Sequence, residues 1–375
     1  MNKLQNRLLG LDKIYELITV PGDFFEAVKR QKLGSQSLKL NEITAAYSRR
    51  QTFMADLACD TRSRWQVLLA HITDFNFSVC KKGNPAIHDL FELKSFIYHY
   101  SEIKSFAETR DISSYDLPDL QELFRLLDPE GGKIPSFRLS PLYSTALRDM
   151  DKTRAELSRK LQHGRRAFLD EARNELGISN LKEEFVLARA QSELIHKIQN
   201  SIYFKLSREN MSNLTFSLAD SSETNRIKQE LATLAKKIEA EEERVLEYLG
   251  ARIAAHCDDI KRAVTSVKEL GWDFALAEFA LRYDCCIPKI AKRISLKQVR
   301  NLPLELIVQE HKRSYQKLDL DFSTGANLIT GPNMGGKTGI LKCMAQCAVL
   351  ARFAIPLPAK QASLPLYDFV YYNHA

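Results

Sequence analysis

The run Gly331-Pro332-Asn333-Met334-Gly335-Gly336-Lys337-Thr338 matches the pattern Gly-x4-Gly-Lys-Ser/Thr in full. It restricts the fold more tightly than any other feature of the 375-residue chain, because it works only where a strand delivers the backbone into a tight loop and a helix leaves it. Asn327-Leu328-Ile329-Thr330 supplies an apolar strand before it, and the stretch from Thr338 towards Arg352 an apolar helix after it. Glycines 331, 335 and 336 let the backbone curl so that successive amides converge on phosphate oxygens, with the positive end of the helix behind them. Lys337 is then placed for the β- and γ-phosphates and the Thr338 hydroxyl for magnesium. The expected ligand is ATP or ADP with Mg2+.

Upstream of this loop the chain reads mainly as helix, since apolar residues recur at three and four and Gly and Pro are scarce over long stretches. Leu8, Leu11, Ile14, Leu17 and Ile18 form one apolar face, and Leu90, Leu93, Ile97 and Tyr100 another. A turn-rich break follows from Asp128 to Pro135. One long charged helix is expected from Ser140 to about Leu176, and a longer helical stretch from Ser222 to about Tyr283. Ile227, Leu231, Leu234, Ile238, Val245 and Leu249 give the second a coiled-coil-like seam, interrupted at Glu241 and Glu242. These long helices most economically lie antiparallel as a stalk. Between them Phe185–Ala188, Tyr203–Leu206 and Leu214–Leu218 read as short strands, so a small sheet should sit at the stalk's tip. After Tyr283, Leu318, Leu320 and Phe322 alternate with charged residues, giving a hairpin that runs into the phosphate loop.

Hydrophobic residues at 45% and charged residues at 27% exclude a disordered or membrane-spanning chain, and no apolar run is long enough to cross a bilayer. The first residues contain no secretory signal, so a cytoplasmic location is expected. Seven cysteines without a Cys-x-x-Cys pair argue against a disulfide framework or a thiolate zinc site. Cys285-Cys286 and the i, i+4 pair Cys343 and Cys347 read as small buried hydrophobes. A net charge of +7 permits a polyanionic partner without requiring one.

The filling Pro332-Asn333-Met334-Gly335-Gly336 resembles the phosphate loop of the MutS family of DNA mismatch-repair ATPases. The run Leu350 to Ala359 resembles that family's helix and following turn, and Leu364 to Val370 its next strand. The resemblance implies a fold class mainly α with a C-terminal α/β part: a helical core over 1–139, and long antiparallel lever helices over 140–283 with a small β clamp at about 184–219. Residues 284–375 would be the first part of a P-loop, ABC-like ATPase domain. It further implies an ATP-binding protein of DNA mismatch repair or a related repair process, in which nucleotide couples to lever and clamp movement. Partners would be double-stranded DNA, gripped by its backbone, and a second copy in a homodimer. Arg189, Lys197, Lys205 and Arg208 are the basic residues near the expected clamp, and Tyr315 occupies a place similar to the family's adenine-stacking aromatic.

The sequence also departs from that family. The resemblance implies that a Walker B strand, a signature loop acting in trans and a helix-turn-helix dimer element would follow Ala375, so no catalytic residue is expected within this chain. Gly22-Asp23-Phe24-Phe25-Glu26 echoes a Phe-x-Glu mismatch wedge, yet the residues after it read as helical core, and Phe24 and Phe25 are expected to pack inside. The family's Arg-His-Pro turn is not intact at His311-Lys312-Arg313. Two other readings remain: an SMC- or ABC-type coiled-coil ATPase, in which the phosphate loop would precede the coiled coil, and a non-catalytic interaction protein switched by nucleotide.

Overall fold

The computed structural model describes residues 3–34, 38–81, 83–332 and 336–373. Asn333, Met334 and Gly335 of the phosphate loop therefore lie outside the described residues. The first apolar face divides into α1 (Lys3–Leu9) and α2 (Leu11–Leu17) because Gly10 takes a left-handed φ of 68° between them. Next come α3 (Asp23–Gly34), α4 (Leu40–Asp56) and α5 (Arg62–Ala70). A wide helical turn over Leu57–Thr61 joins the last two, kinked where Asp60 has φ 63°. The helix α6 (Ile87–Thr109) buries Leu90, Leu93, Ile97 and Tyr100, the face its spacing predicts. After α7 (Gln121–Leu127) the turn-rich segment has Gly131 and Lys133 at positive φ.

A long pair of helices follows. Ser144 caps α8 (Thr145–Leu176) by accepting from the Leu147 amide, and Gly177 ends it in the left-handed conformation. Three strands and one short helix then form the tip: β1 (Glu184–Ala188), α9 (Ser192–Gln199), β2 (Phe204–Glu209) and β3 (Asn213–Leu218). The strands lie in the order β1-β3-β2, all antiparallel, with Val186 opposite Thr215 and Lys205 opposite Ser217. Leu187, Leu214, Phe216 and Leu218 bury one face against Leu169, Ala172 and Leu176 of α8 and Ile195 and Ile198 of α9, a core separate from the main one. The chain returns through α10 (Ser222–Ala255), about 50 Å long at 1.5 Å per residue. Arg165 reaches Asp220 at 3.1 Å near the tip while Ser144 donates to Glu241 at 2.7 Å near the base, so α8 and α10 are antiparallel.

The single stretch expected from Ser222 to Tyr283 is two helices. His256 leaves helical geometry at φ −98°, ψ 9°, and α11 (Cys257–Arg282) starts anew with Asp258 and Asp259 in its first turn. The reason is a change of surroundings. Along α10 one seam alone is buried, its last turns joining the main core through Ile238, Val245, Leu249 and Ile253, whereas α11 runs through that core buried on most of its faces, with Ile260, Ala263, Val267, Leu270, Phe274 and Phe279 inside. A helix that has to enter a core at a new angle bends where a residue can leave the helical ladder.

The last part is α/β. A mixed sheet of β4 (Lys289–Ile290), β5 (Ile294–Val299), β6 (Leu318–Phe322) and β7 (Gln361–Leu364) has the order β4-β7-β5-β6, parallel only between β4 and β7. The helix α12 (Leu302–Glu310) lies between β5 and β6 in the chain, and α13 (Lys337–Arg352) between β6 and β7. Two expectations fail here. Asn327–Thr330 is not a strand, because among the described residues nothing pairs with it and Leu328 stays 88% exposed. The strand expected over Leu364–Val370 ends at Leu364, which pairs with β4 through Ile290 and by accepting the Ala291 amide; Pro365 comes next and has no N–H to extend a ladder.

One hydrophobic cluster runs from Leu9 through α3–α7 and α11 to Leu364 and Tyr372. Gln346 of α13, 1% exposed, donates to the Leu9 carbonyl at 2.6 Å, and the Gln5 amide pairs with both backbone groups of Tyr372. The N-terminal helices and the phosphate-loop helix therefore share a core.

Candidate nucleotide site

The site is built on the junction of the loop after β6 with α13. Gly336, left-handed at φ 81°, turns the chain into the helix, and the first intrahelical bond runs from the Ile340 amide to the Gly336 carbonyl at 3.0 Å. The amides of Lys337, Thr338 and Gly339 precede that bond, and no side chain among the described residues caps them. They form a cluster of N–H groups at the positive end of a 16-residue helix dipole. Lys337 brings a full charge to the same place, its ammonium donating to the carbonyls of Gly331 at 2.6 Å and Pro332 at 2.7 Å. The aliphatic part of Lys337 crosses Gly331, where φ is 157°. Thr338 is exposed beside it.

Such an arrangement attracts an anion that can accept several hydrogen bonds and take over the ammonium from the two carbonyls. The exposed Thr338 hydroxyl has no hydrogen-bond partner among the described residues and is an oxygen donor of the kind magnesium takes. Among the described residues no cluster of His, Cys, Asp and Glu could hold a metal by itself.

Tyr315 is half-buried on the segment between α12 and β6. Its hydroxyl accepts from the Asn301 amide at 3.0 Å and meets the Cys343 thiol of α13. Burial raises the Tyr315 pKa, and the Cys343 thiol adds to this against the lowering contact with Asn301. The hydroxyl thus ties α12 to α13, which leaves only the ring for any ligand. Nearby, Cys343 and Cys285 are buried and Cys286 is half-buried, and burial pushes Cys343 and Cys286 up to about 11 and Cys285 up to about 12, away from thiolate reactivity.

At the tip the basic residues divide. Arg189 pairs with Glu209 and donates to the Asn210 carbonyl at 3.1 Å, and Lys197 donates to the Leu176 carbonyl at 2.8 Å, capping α8. These two hold the tip together. Lys205 and Arg208 are exposed and form no ion pair among the described residues. At the wedge-like echo, Phe25 is fully buried and Phe24 packs edge-on against it at 5.0 Å, under the Lys268 ammonium. Both serve the core, as the sequence reading expects.

Known proteins bear on this geometry in three ways. A family model described as an AAA domain matches residues 309–349, which span the segment from the end of α12 to α13. The DNA mismatch repair protein MutS of Thermus thermophilus is 32% identical over 143 residues, covering 38% of this chain and 17% of that protein. MutS of Staphylococcus saprophyticus is 24% identical over 312 residues, covering 77% of this chain and 34% of that protein. Endonuclease MutS2 of Clostridium botulinum is 32% identical over 141 residues, covering 38% of this chain and 18% of that protein. The chain thus aligns with about a third or less of each relative's length. The longest of these matches covers 77% of the chain, more than the α/β part alone, and the chain is therefore related to the MutS family.

Proposed function

We propose that this chain binds ATP or ADP with Mg2+ at the N-terminal end of α13 and acts as the nucleotide-responsive part of a DNA-repair ATPase. The observation that carries the reading is the convergence at one point of the helix amides ahead of the first intrahelical bond, the left-handed Gly336 and the Lys337 ammonium. Lys337 would bind the terminal phosphates, the α13 amides would bind oxygens deeper in the chain of phosphates, and Thr338 would ligate Mg2+. When bound, Mg2+ neutralises phosphate charge. The ring of Tyr315 would stack on the base, its hydroxyl already fixed by Asn301. In the same reading α8 and α10 are a lever, the β1-β3-β2 sheet is a clamp on duplex DNA, and two copies pair through their nucleotide domains.

Equilibrium binding of Mg-ADP tests the first part. Lys337→Ala should weaken affinity at least about tenfold, equivalent to roughly 1.4 kcal/mol, with unchanged helical circular dichroism. Thr338→Ala should lose affinity only when Mg2+ is present. Equal affinity of wild type and Lys337→Ala would overturn the assignment.

A further inference from the structure

The far end of the phosphate-loop helix is held by a buried polar bridge that the nucleotide reading does not use. At 16 residues α13 is a rigid rod about 24 Å long. Beyond its last residue Ala354 sits at φ 53°, an unusual conformation for a residue with a side chain, and is fully buried against Ile43, Ala46 and Tyr47 of α4. Three hydrogen bonds pin this end. The Leu38 amide donates to the Arg352 carbonyl at 3.3 Å, the Tyr47 hydroxyl to the Ile355 carbonyl at 3.2 Å, and the Arg50 guanidinium to the Ala354 carbonyl.

Arg50 is 2% exposed and also donates through Nε to Asp273 of α11 at 2.8 Å. Asp273 is 0% exposed and accepts as well from Arg49 at 2.7 Å and from the Tyr115 hydroxyl at 2.9 Å. One planar guanidinium thus spans from the end of the phosphate-loop helix to the middle of the core helix that continues from α10. A cleft of about 360 Å³ lined by Leu38, Arg49, Arg50, Trp272 and Phe353 lies alongside, so this end of α13 is not close-packed on every side.

We propose that Arg50 is a positioning residue that transmits movement of α13 to α11, and through the His256 junction to the long helix pair. The proposal rests on the nucleotide reading above. A ligand pulling on the N-terminus of a rigid helix displaces its C-terminus too, and the open cleft leaves space for that displacement. A buried charge left without its partners is costly, so Arg50 follows the Ala354 carbonyl and Asp273 follows Arg50. Tyr47 makes a comparable bond just beyond α13, to the Ile355 carbonyl, and among the described residues none to α11, and serves as the internal control.

Amide hydrogen exchange of the whole chain with and without Mg-ADP separates the possibilities. In wild type, Mg-ADP should slow exchange at the start of α13 and also in α4 and α11. Arg50→Lys keeps the charge but cannot span both partners; it should bind Mg-ADP within about threefold of wild type while losing at least half of the α11 response. Tyr47→Phe should keep that response. Should Arg50→Lys fail to fold, Asp273→Asn carries the same expectation, and the wild-type measurement stands by itself. Protection at α13 without any change in α11 of the wild type, or an undiminished α11 response in Arg50→Lys, would overturn the bridge and leave nucleotide binding intact. No Lys337-dependent protection anywhere would overturn the nucleotide reading itself, and the bridge with it.

Discussion

Asp56 closes the kink between α4 and α5, and its carboxylate explains why that kink is stable. Oδ2 accepts from the Trp65 indole at 2.7 Å and the Thr61 hydroxyl at 2.8 Å, while Oδ1 accepts from Arg110 at 2.6 Å. Burial alone would raise its pKa, but the donors from Trp65, Arg110 and Thr61 outweigh burial and hold it below the ordinary value of 3.8. The folded state therefore binds this proton less readily than the unfolded chain. Its contribution to stability is fully present above pH 3.8 and is lost as pH falls through the lower folded value. Asp56→Asn should cost about 1–3 kcal/mol at neutral pH, because charge-assisted bonds are lost from a buried position. The gap between variant and wild type should close in acid, read as melting temperature against pH. Parallel curves for the two proteins down to strong acid would refute the assignment. Nothing in the sequence around Asp56 distinguishes it from the other acidic residues, because its donors come from the wide turn, from α5 and from Arg110 just past α6, up to 54 positions away.

Among the elements, α11 is the most constrained by packing. A Cβ built on Gly271 would lie 2.0 Å from Cε1 of Phe25, so α3 and α11 approach over a glycine that no other residue can replace without moving a buried ring. Gly271→Ala should gain helix propensity and still lose net stability, by about 1–3 kcal/mol from overpacking. Combining it with Phe25→Leu should recover part of the loss, and strict additivity in chemical denaturation would argue against this contact. The helical faces of α6 and α10 and the strands of the tip are legible in the sequence because side-chain periodicity is a local property. The break at His256 is not legible, since 255 and 257 are each helical by pattern and the change from a one-sided seam to burial on most faces of α11 is a tertiary event. Asn327–Thr330 misleads for a related reason: it has strand composition, and a strand exists only with a partner.

For the molecule as a whole, the proposed clamp predicts how DNA should bind. The tip stands at the end of α8 and α10, away from the main core, and offers Lys205 and Arg208 as exposed cations, while Arg189 and Lys197 are engaged locally. Duplex binding should be weak, insensitive to sequence and steeply weakened by salt. Lys205→Ala/Arg208→Ala should lower affinity equally on matched and mismatched duplexes and reduce the salt slope by about 2. Arg189→Ala should instead loosen the tip. A preference for mismatched duplex that disappears in Phe24→Ala would contradict this reading, because Phe24 is packed beside the core. The sequence by itself determined the glycine-rich motif ending in Lys337 and Thr338, the helix that follows it, the antiparallel long helices and the three strands between them. Each rests on short-range rules, namely glycine conformations, end caps and hydrophobic period. Tertiary structure alone decided that Arg50 joins α13 to α11, that Tyr315 spends its hydroxyl on Asn301, and that one core unites the first helices with the last sheet. Those outcomes depend on which distant groups meet when water is excluded, where a buried charge or hydroxyl has to find a partner wherever the chain brings one.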